Sequence, residues 1–400
     1  MNLTGREIVL GVTGGIAAYK SADLVSRLRH LGAHVSVIMT QNAPEFVTPL
    51  TFRTLSSNEV AVDTFRAPEY WNVEHVALAK RAEVFVIAPA TANILAKMAH
   101  GIADDMLSTT VLATGAPVLV APAMNTGMWN AAATRENVRI LRERGVHFVG
   151  PDSGLLACGD SGAGRMSEPA EIVEAIDRIL NPKRDLAGLK VMVTAGATRE
   201  RLDPVRFLTN DSSGKMGFAL AEAARDRGAE VTLVKGSTSV PPPEGVRILD
   251  VESTEDLLET VTAEAKSQDV IIQAAAPADY RPAEVSPVKI KKKRGEEFLL
   301  RMVETPDVAK AVAAGKRPGQ TLVGFAAETD HLRENARAKL ERKGLDLIVA
   351  NDVTLPGAGF GTDTNIAALI TAEKVEERPL QSKRALAEDI LDRVIALRKE

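Results

Sequence analysis

The one cysteine of this 400-residue chain stands in the stretch GLLACGDSGAGRM, which runs from residue 154 to 166. Glycines and charged residues surround Cys158, and the stretch has neither a helical nor a strand period. A bystander cysteine usually behaves as a small apolar residue of a core. A thiol in a glycine-rich loop has no core to fill, yet from these residues alone a bystander cysteine stays the default interpretation of Cys158.

Two further stretches carry amide side chains to a position where ligands commonly bind. APATANILAKMAHGIADDML (88–107) and PAMNTGMWNAAATRENV (122–138) each follow an apolar strand and begin a helix. Both therefore lie at the carboxyl edge of a parallel sheet, where such folds bind their ligands. Asn93 and Asn125 would offer donors and acceptors there, although an Asn at a helix start is also a common N-cap.

The turn GVTGGIAAYK suggests a nucleotide site, but not a dinucleotide site. Its glycines, Gly14 and Gly15, lack the G-x-G-x-x-G spacing, and no acidic residue ends the second strand to hold a ribose. The residues there are Thr40 and Gln41, and a hydroxyl near a helix N-terminus suits a phosphate monoester. A tight turn that simply needs glycine explains the same stretch equally well.

Strands and helices alternate along the first half of the chain. Residues 7–13 form an apolar run that ends in the glycine turn, and residues 16–31 carry apolar side chains at helical spacing. Further apolar runs predict strands at 34–40, 83–89, 117–123 and 146–150. Such alternation predicts an α/β fold, a doubly wound parallel sheet with helices on both faces.

The same pattern begins again in the second half. KVMVTAG (190–196) is a strand with a glycine turn, and RDRGAEVTLV (225–234) parallels LRHLGAHVSVI (28–38). The repetition predicts two Rossmann-like domains, linked by NPKRDLAG (181–188) and spanning residues 1–188 and 189–400. Later strands are predicted at 269–275, 321–327 and 345–350, irregular segments at 281–301 and 354–364, and a last helix at 381–398.

Composition excludes several classes of function. The formal net charge of −4 offers no field that attracts nucleic acid. One cysteine excludes an internal disulfide and a cysteine-rich metal site, and it fits a reducing, cytoplasmic environment. The start of the chain predicts neither a signal peptide nor an anchor, and no apolar run approaches the roughly 18 residues of a membrane span.

The first half resembles the homo-oligomeric flavin-containing cysteine decarboxylases. The glycine turn, the P-A-T-A-N stretch, the P-A-M-N-x-x-M-W stretch and the loop L-A-C-G-x-x-G-x-G-R-M all match, up to about residue 180. The resemblance implies a non-covalent FMN. Its implied contacts are Gly14, Gly15, Thr40, Thr91 (commonly serine in the family) and Asn93.

The same resemblance implies three catalytic residues. His75 would act as a base on the substrate, since an imidazole titrates near neutrality. Asn125 would bind the substrate carboxylate, and Cys158 would return a proton to the enethiolate. The family builds this site between subunits, which implies a homo-oligomer of trimers or assemblies of trimers. Taken alone, His75 would be interpreted as a surface or packing residue.

The second half resembles phosphopantothenate–cysteine ligase, through TAGATRERLDPVRFLTNDSSGKMG (194–217), AAAPADYRP (274–282) and KIKK. The whole chain is therefore similar to bacterial bifunctional proteins of coenzyme A biosynthesis. The resemblance implies that 4′-phosphopantothenate is joined to L-cysteine through an acyl-cytidylate made from CTP, with release of pyrophosphate and CMP. Decarboxylation of the product would then yield 4′-phosphopantetheine.

Residues of the ligase half take implied roles from this match. Asn210 handles the acyl-cytidylate, Arg206 is a neighbouring active-site position, and Lys289 contacts the nucleotide and aids activation. No P-loop is present, but a helix start follows TNDSS and can hold phosphate. The implied CTP site comprises Ser212, Ser213, Gly214, Ala275, Asp279, Lys289, Thr305, Pro306, Asp307, Val308, Phe325, Lys339 and Lys343.

Three further features of this half bear on the ligase interpretation. The basic run VKIKKKRGEEF (288–298) would by itself be a solvated loop or hairpin. Mg²⁺ is expected with a nucleoside triphosphate, but its ligands are not identified from the sequence. Pro277 stands where the family usually has a small aliphatic residue, a departure that would shift the backbone beside Asp279.

Different classes of protein compete with the bifunctional enzyme. A flavin-fold regulatory protein would bind a partner without chemistry, but such relatives lose the histidine or the cysteine. A prenyl-transferring flavoprotein shares the fold, but the M-N-x-x-M-W stretch and the fused ligase half disfavour it. A pyridine-nucleotide dehydrogenase lacks its fingerprint here.

Overall fold

The computed structural model describes residues 1–63, 74–157, 159–292, 297–328, 332–352, 355 and 357–399. The chain forms two compact units, Met1–Pro182 and Lys183–Glu400. Every strand pair found among the described residues joins strands of the same unit. Within that part of the chain, no helix combines the length and the apolar character needed to cross a membrane.

The first unit alternates strands and helices, as the hydrophobic pattern predicts. Helix α1 buries Leu24, Val25 and Leu28 on one face, and Gly32 follows it with a positive φ of 85°. The elements are β1 (Glu7–Val12), α1 (Ala18–His30), β2 (His34–Met39), α2 (Pro49–Ser56), β3 (Val60–Ala61), α3 (Glu74–Arg81), β4 (Val84–Ala90), α4 (Ala92–His100), α5 (Met106–Ala113), β5 (Val118–Pro122), α6 (Thr126–Asn130), α7 (Ala132–Glu143), β6 (His147–Phe148), β7 (Asp152–Leu155), β8 (Ser161–Arg165) and α8 (Pro169–Leu180).

The sheet of the first unit runs in the order β3-β2-β1-β4-β5-β6, and each neighbouring pair is parallel. Strand β1 lies at the centre, where Leu10 pairs with Val37 of β2 and with Val86 of β4. Alternate residues of β1 face opposite cores: Leu10 packs with α1 and α8, and Val9 packs with α4, α5 and α7. This arrangement confirms the predicted doubly wound sheet.

The second unit repeats the architecture with additional strands. Its elements are β9 (Lys190–Ala195), β10 (Arg199–Arg201), β11 (Phe207–Thr209), α9 (Lys215–Asp226), β12 (Glu230–Lys235), β13 (Arg247–Asp250), α10 (Thr254–Ala265), β14 (Val270–Gln273), β15 (Tyr280–Pro282), β16 (Met302–Glu304), α11 (Val308–Ala314), β17 (Thr321–Glu328), α12 (Leu332–Lys343), β18 (Leu347–Asp352), β19 (Thr364–Ile370), β20 (Val375–Ser382) and α13 (Lys383–Leu397).

The second sheet is mixed, although the sequence pattern predicts only parallel strands. Its order is β13-β12-β9-β14-β17-β18-β19-β20, and the strands up to β18 are parallel. Strands β19 and β20 are antiparallel. The apolar run of β19 is buried, whereas β20 is a polar strand at the edge of the sheet. Because β20 has no apolar run, the pattern does not predict this pair.

Helix α9 approaches β9 more closely than an ordinary helix approaches a strand. Gly217 lies at the contact, where an added Cβ would be 2.5 Å from the Cβ of Ala195 and 2.9 Å from the carbonyl oxygen of Thr194. The helix also buries Phe218, Leu220 and Ala221 in the core. Glycine therefore sets the distance between α9 and β9, and with it the position of the helix start.

We expect Gly217→Ala to destabilise the second unit by about 1–3 kcal/mol, because the added methyl overpacks the contact between α9 and β9. Hydrogen exchange of the amides of residues 190–195 in the full chain measures this local stability. Gly315→Ala is the matched control, since its Cβ would meet only the Val312 carbonyl oxygen at 3.8 Å. Equal exchange rates in the two variants would contradict the prediction.

Candidate active sites

A cavity of about 420 Å³ opens at the carboxyl edge of the first sheet. Its walls come from the segments that follow β1, β2 and β4, and from the starts of α5 and α6. Four of the five residues predicted to contact a flavin line it, and the fifth, Gly15, follows Gly14 directly. The lining residues are Thr13, Gly14, Thr40, Gln41, Asn42, Thr91, Asn93, Ile94, Lys97, Asp104, Asp105 and Met128.

The topology of the sheet explains why these segments meet. The chain leaves β1 toward β2 on one side, and β4 pairs with β1 on the other side, so the cavity lies at the point where the strand order reverses. The buried hydroxyl of Thr13 joins the two loops. It donates to the carbonyl oxygen of Pro89 at 2.7 Å and accepts from the backbone N–H of Thr91 at 3.3 Å.

At the glycine turn, the backbone of the loop after β1 passes very close to the loop after β2. A Cβ on Gly14 would lie 2.7 Å from the Cβ of Asn42 and 3.0 Å from its carbonyl carbon. A Cβ on Gly15 would meet only Thr91 Cγ2, at 3.6 Å. The steric reason for glycine is therefore strong at position 14, where the loops after β1 and β2 touch beside the cavity.

A lysine and two aspartates form a charged part of the cavity wall that the sequence analysis did not identify. Lys97 Nζ lies 2.6 Å from Asp104 Oδ1 and 2.8 Å from Asp105 Oδ2. Burial by itself would lower the pKa of Lys97, but hydrogen bonds to both aspartates raise the pKa. Burial opposes ionisation of Asp105 as well, yet its bonds to Lys97 and Ser108 lower its pKa. In the sequence these residues look like ordinary charges beside a helix start.

The cavity residues fit the flavin nucleotide that the resemblance implies. Thr91 is the N-cap of α4, but its hydroxyl does not cap the helix. The helix start therefore combines a hydroxyl and an amide, from Thr91 and Asn93, with the positive end of the helix dipole, which suits a phosphate group. The cavity volume is also in the usual range for sites that hold small organic ligands, about 300–1,000 Å³.

Asn125 lies on the neighbouring loop, where it is tied to the loop that carries the cysteine. Its Oδ1 accepts the N–H of Gly127 at 2.7 Å as N-cap of α6, and its Nδ2 donates to Asp160 Oδ2 at 2.9 Å. Cys158 itself lies outside the described residues. The flanking residues form a closed turn, in which Leu156 N donates to the carbonyl oxygen of Asp160 at 2.8 Å. The structure thus brings Asn125 next to this turn.

The residues on either side of Cys158 form a β-hairpin, although the sequence there shows no strand period. Strands β7 and β8 pair antiparallel, with Gly154 opposite Gly162. The hairpin lies against the loop before α6, where Met124 N donates to the carbonyl oxygen of Gly164 at 3.0 Å and no Cβ would fit on Gly164. Glycine replaces the alternating apolar residues of an ordinary strand, which is why no period of two is visible.

His75 does not line the cavity. It lies in the first turn of α3, half-buried, and α3 packs against α5 and β1. Residues 64–73, which precede it, are outside the described residues. The structure thus groups the predicted flavin contacts and groups Asn125 with the cysteine loop, but it does not bring His75 to the cavity of its own chain.

In the second unit the predicted residues also gather at the carboxyl edge of the sheet. Threonine hydroxyls again join neighbouring loops: Thr194 Oγ1 accepts the N–H of Ala275 at 3.0 Å, and Thr198 Oγ1 accepts that of Ala278 at 2.9 Å. Thr305 N donates to the carbonyl oxygen of Asp279 at 3.0 Å. Asp279 and Thr305 are therefore in direct contact, and Ala275 lies on the same loop as Asp279, bound to Thr194.

The proline at position 277 is compatible with the contacts of its loop. Asn210 Nδ2 donates to the carbonyl oxygen of Pro277 at 2.9 Å, which ties the loop before α9 to the loop after β14. Proline has no N–H to donate, but this contact uses only its carbonyl. Pro277 is thus compatible with a site in which Asn210 and Asp279 act together.

The start of α9 is covered by the loop at 357–364. Gly214 is the N-cap with a φ of 81°, and a Cβ there would lie 2.5 Å from Thr238 Cγ2. Ser213 Oγ donates to the carbonyl oxygen of Phe360. Lys215 Nζ bonds Asp363 Oδ1 at 2.6 Å and the Gly361 carbonyl at 3.0 Å. The three residues Ser212 to Gly214 thus precede a 12-residue helix, as predicted.

Several of the remaining residues that are predicted to bind the nucleotide lie at or next to the start of α11. Asp307 caps this helix by accepting the N–H of Lys310 at 3.1 Å, and Lys343 Nζ lies 3.1 Å from the same carboxylate. Burial would raise the pKa of Asp307, but these two hydrogen bonds lower the pKa. Lys339 Nζ donates to the carbonyl oxygen of Phe325 at 3.0 Å. Pro306 and Val308 flank Asp307, and Val308 is buried.

Arg206 and Lys289 belong to segments that meet at a buried carboxylate. Asp203 Oδ1 accepts the N–H of Val205 at 2.7 Å and of Arg206 at 2.8 Å, and Oδ2 accepts that of Ile290 at 3.1 Å. Burial would raise the pKa of Asp203, but these backbone hydrogen bonds lower it. The described residues contain no group of three His, Cys, Asp or Glu able to hold a metal ion.

Comparison with known proteins assigns both units to families. Residues 1–181 match the model of the flavoprotein family, and residues 186–397 match that of the DNA/pantothenate metabolism flavoprotein C-terminal domain. The chain is 47% identical over 397 residues to the coenzyme A biosynthesis bifunctional protein CoaBC of Escherichia coli (strain K12), covering 99% of this chain and 98% of that protein. Identity to the protein of the same name from Bacillus subtilis (strain 168) is 45% over 402 residues, covering 100% and 98%.

One solved structure is the C-terminal domain of a coenzyme A biosynthesis bifunctional protein CoaBC. It is 40% identical to this chain, covers 54% of it and 98% of its own length, and has a TM-score of 0.46.

We expect Gly14→Ala to weaken flavin binding by about 10- to 100-fold, because the methyl overpacks the turn at a cost of about 1–3 kcal/mol. Visible absorbance of the purified full chain and a titration with FMN measure the change. Gly115→Ala, at the opposite edge of the sheet with nothing within 4 Å of its Cβ, is the control. Wild-type flavin affinity in Gly14→Ala would show that this turn is not part of the flavin site.

Proposed function

The chain belongs to the family of bifunctional coenzyme A biosynthesis proteins, and from this we infer that its two units divide two successive reactions. The protein is an enzyme that combines phosphopantothenate–cysteine ligase and phosphopantothenoylcysteine decarboxylase activities. We assign the decarboxylase to residues 1–188 and the ligase to residues 189–400. The observation that carries the assignment is the full-length match, in which each unit also has its own family.

The ligation needs activation of a carboxylate, because an ionised carboxylate does not react with an amine. We propose that a carboxylate oxygen of 4′-phosphopantothenate attacks the α-phosphorus of CTP and displaces pyrophosphate. The amine of L-cysteine then attacks the acyl carbon of this acyl-cytidylate, the amide bond forms, and CMP leaves. Mg²⁺ accompanies the triphosphate in this proposal, held mainly by the phosphates and water, as is usual for this ion.

Three side chains of the second unit are proposed to act on the reacting groups. Asn210 directs its amide toward the acyl-cytidylate, held in place by its bond to the Pro277 carbonyl. Arg206 and Lys289 are exposed cations that neutralise the charge on the phosphate as pyrophosphate leaves. The helix start at residues 212–214 offers backbone N–H groups to the phosphates.

The base and ribose of CTP are assigned to the loops around α11. The hydrogen bonds that join Ala275, Asp279 and Thr305 to their neighbours support this assignment. So does the position of Asp307 between Lys343 and the helix it caps. The full set is Ala275, Asp279, Thr305, Pro306, Asp307, Val308, Phe325, Lys339 and Lys343.

The decarboxylation needs an electron acceptor that an amide-linked cysteine lacks. A bound FMN would supply it, by accepting two electrons from the substrate thiol, which becomes a thioaldehyde, and giving them back after CO₂ has left. Gly14, Gly15, Thr40, Thr91 and Asn93 would hold this group in the cavity of the first unit.

This chain's own residues position the substrate and move protons. Asn125 donates its amide to the substrate carboxylate, in exchange for its present bond to Asp160. His75 takes a proton from the substrate, and Cys158 gives a proton to the enethiolate carbon after CO₂ has left. Because His75 does not line the cavity of its own chain, we propose that the site forms between subunits of a homo-oligomer. We also propose that the protein acts in the cytoplasm, in line with its single cysteine.

Cys158→Ser is expected to stop the second reaction at an oxidised enethiol, with formation of 4′-phosphopantetheine reduced about 100-fold or more, since a hydroxyl is a much weaker acid than a thiol. Ligation should stay at the wild-type rate. Product analysis from supplied phosphopantothenoylcysteine and CTP-dependent pyrophosphate release measure the two activities in one preparation. Equal loss of both activities would contradict the division between the units.

Asn210→Asp is expected to do the reverse, lowering ligation about 100-fold or more while decarboxylation of supplied substrate continues. The new carboxylate cannot donate to the Pro277 carbonyl and repels the phosphates. Asn58→Asp is the matched control, because Asn58 Nδ2 donates to the carbonyl oxygen of Val35 at 2.8 Å in the first unit. If Asn58→Asp slowed ligation as much as Asn210→Asp, the assigned role of Asn210 would be wrong.

A further inference from the structure

Asp203 is fully buried in the hairpin of β10 and β11, and its two carboxylate oxygens serve different segments. Oδ1 accepts from Val205 and Arg206, which closes the turn of the hairpin itself. Oδ2 accepts the N–H of Ile290 at 3.1 Å, from a segment more than 80 residues away. The side chain therefore joins the chain next to Arg206 with the chain next to Lys289.

A second contact holds the same distant segment, residues 286–290, which we call the strap. Ser286 N donates to the carbonyl oxygen of Leu202 at 2.9 Å, and Ser286 Oγ donates to the carbonyl oxygen of Val288 at 2.7 Å. The strap is thus attached at both ends, through Ser286 and Ile290. Lys289 lies between these attachments and remains exposed.

The turn alone does not explain why this residue is an aspartate. An Asx-type turn needs one side-chain oxygen, and an asparagine supplies it without a buried charge. Burial of a carboxylate costs free energy that its hydrogen bonds must offset. The guanidinium of Arg206 is 3.7 Å from Oδ2 and half-exposed, so it offsets little of this cost. The feature that requires a second acceptor oxygen is the N–H of Ile290.

We propose that Asp203 is the positioning residue of the ligase site, which holds Arg206 and Lys289 in a fixed relation by binding both segments with one carboxylate. The proposal rests on the roles of Arg206 and Lys289 in the proposed function. Asp203 does not contact substrate in this account. It acts by keeping Lys289 near the phosphates at which charge develops, where a displacement of about 1 Å is costly.

Asp203→Asn separates the two functions of the side chain. Its amide oxygen can keep the bonds to Val205 and Arg206, but its NH₂ group then faces the N–H of Ile290, and two donors do not bind. We expect ligation to fall about 10- to 100-fold in kcat, trypsin to cleave faster after Lys289, and decarboxylation to stay unchanged. Asp269→Asn is the matched control: its Oδ2 accepts the N–H of Lys190 at 2.8 Å, at the opposite edge of the sheet.

A double-mutant cycle with Lys289→Gln tests whether Asp203 acts through Lys289. We expect Asp203→Asn to cost at least about 10-fold in the wild type but less than about 2-fold once Lys289 is replaced. The same loss in both backgrounds would overturn the proposal, because a merely structural residue gives independent effects. Full ligation activity in Lys289→Gln would instead contradict the proposed function, and with it the proposal.

Ile290→Pro provides a second variant that leaves the carboxylate and its turn intact. It removes the N–H that Oδ2 accepts, so it should reproduce the loss of ligation and the faster cleavage after Lys289. It also provides a test of the proposal if the Asp203→Asn variant does not fold. Wild-type ligation in folded Ile290→Pro would overturn the proposal.

Discussion

Both candidate sites depend on a buried threonine hydroxyl that ties the loop after one strand to the loop after its neighbour. In the first unit Thr13, just after β1, binds Pro89 and Thr91 at the end of β4. In the second unit Thr194, near the end of β9, and Thr198, in the loop after it, bind the loop that follows β14. Parallel strands end at one edge, but their loops need such bonds to keep a fixed geometry. Because the hydroxyls are buried, the bonds are not exchanged for water.

Sequence patterns predict the elements that have strong hydrophobic periods. The central strands, the helices that follow them and the glycine turns lie where the apolar runs place them, and the carboxyl edges carry the predicted residues. Polar or glycine-rich strands are not predictable in this way. Strands β7 and β8 replace apolar side chains by glycines such as Gly162, and β20 is polar. Their pairing is specified by tertiary contacts.

The contacts of the charged residues in the two sites are also not predictable from the sequence pattern. Lys97, Asp104 and Asp105 form one ion-paired cluster, but along the chain they look like ordinary charges beside a helix. Asp203 looks like a turn residue in LDPV, and only the structure shows that it also binds Ile290. A hydrogen bond across many residues leaves no period in a single sequence. The implied catalytic residues were found by resemblance, and geometry groups most but not all of them.

Separate sheets and separate cores have a consequence for how such a chain can arise. No strand pair among the described residues joins one unit to the other, and the chain passes between them once, near Pro182. A break there would interrupt none of the sheets and none of the hydrophobic clusters found among the described residues. The two halves can therefore be encoded as one gene or as two without redesign of either fold, and recombination can exchange one half while the other keeps its structure.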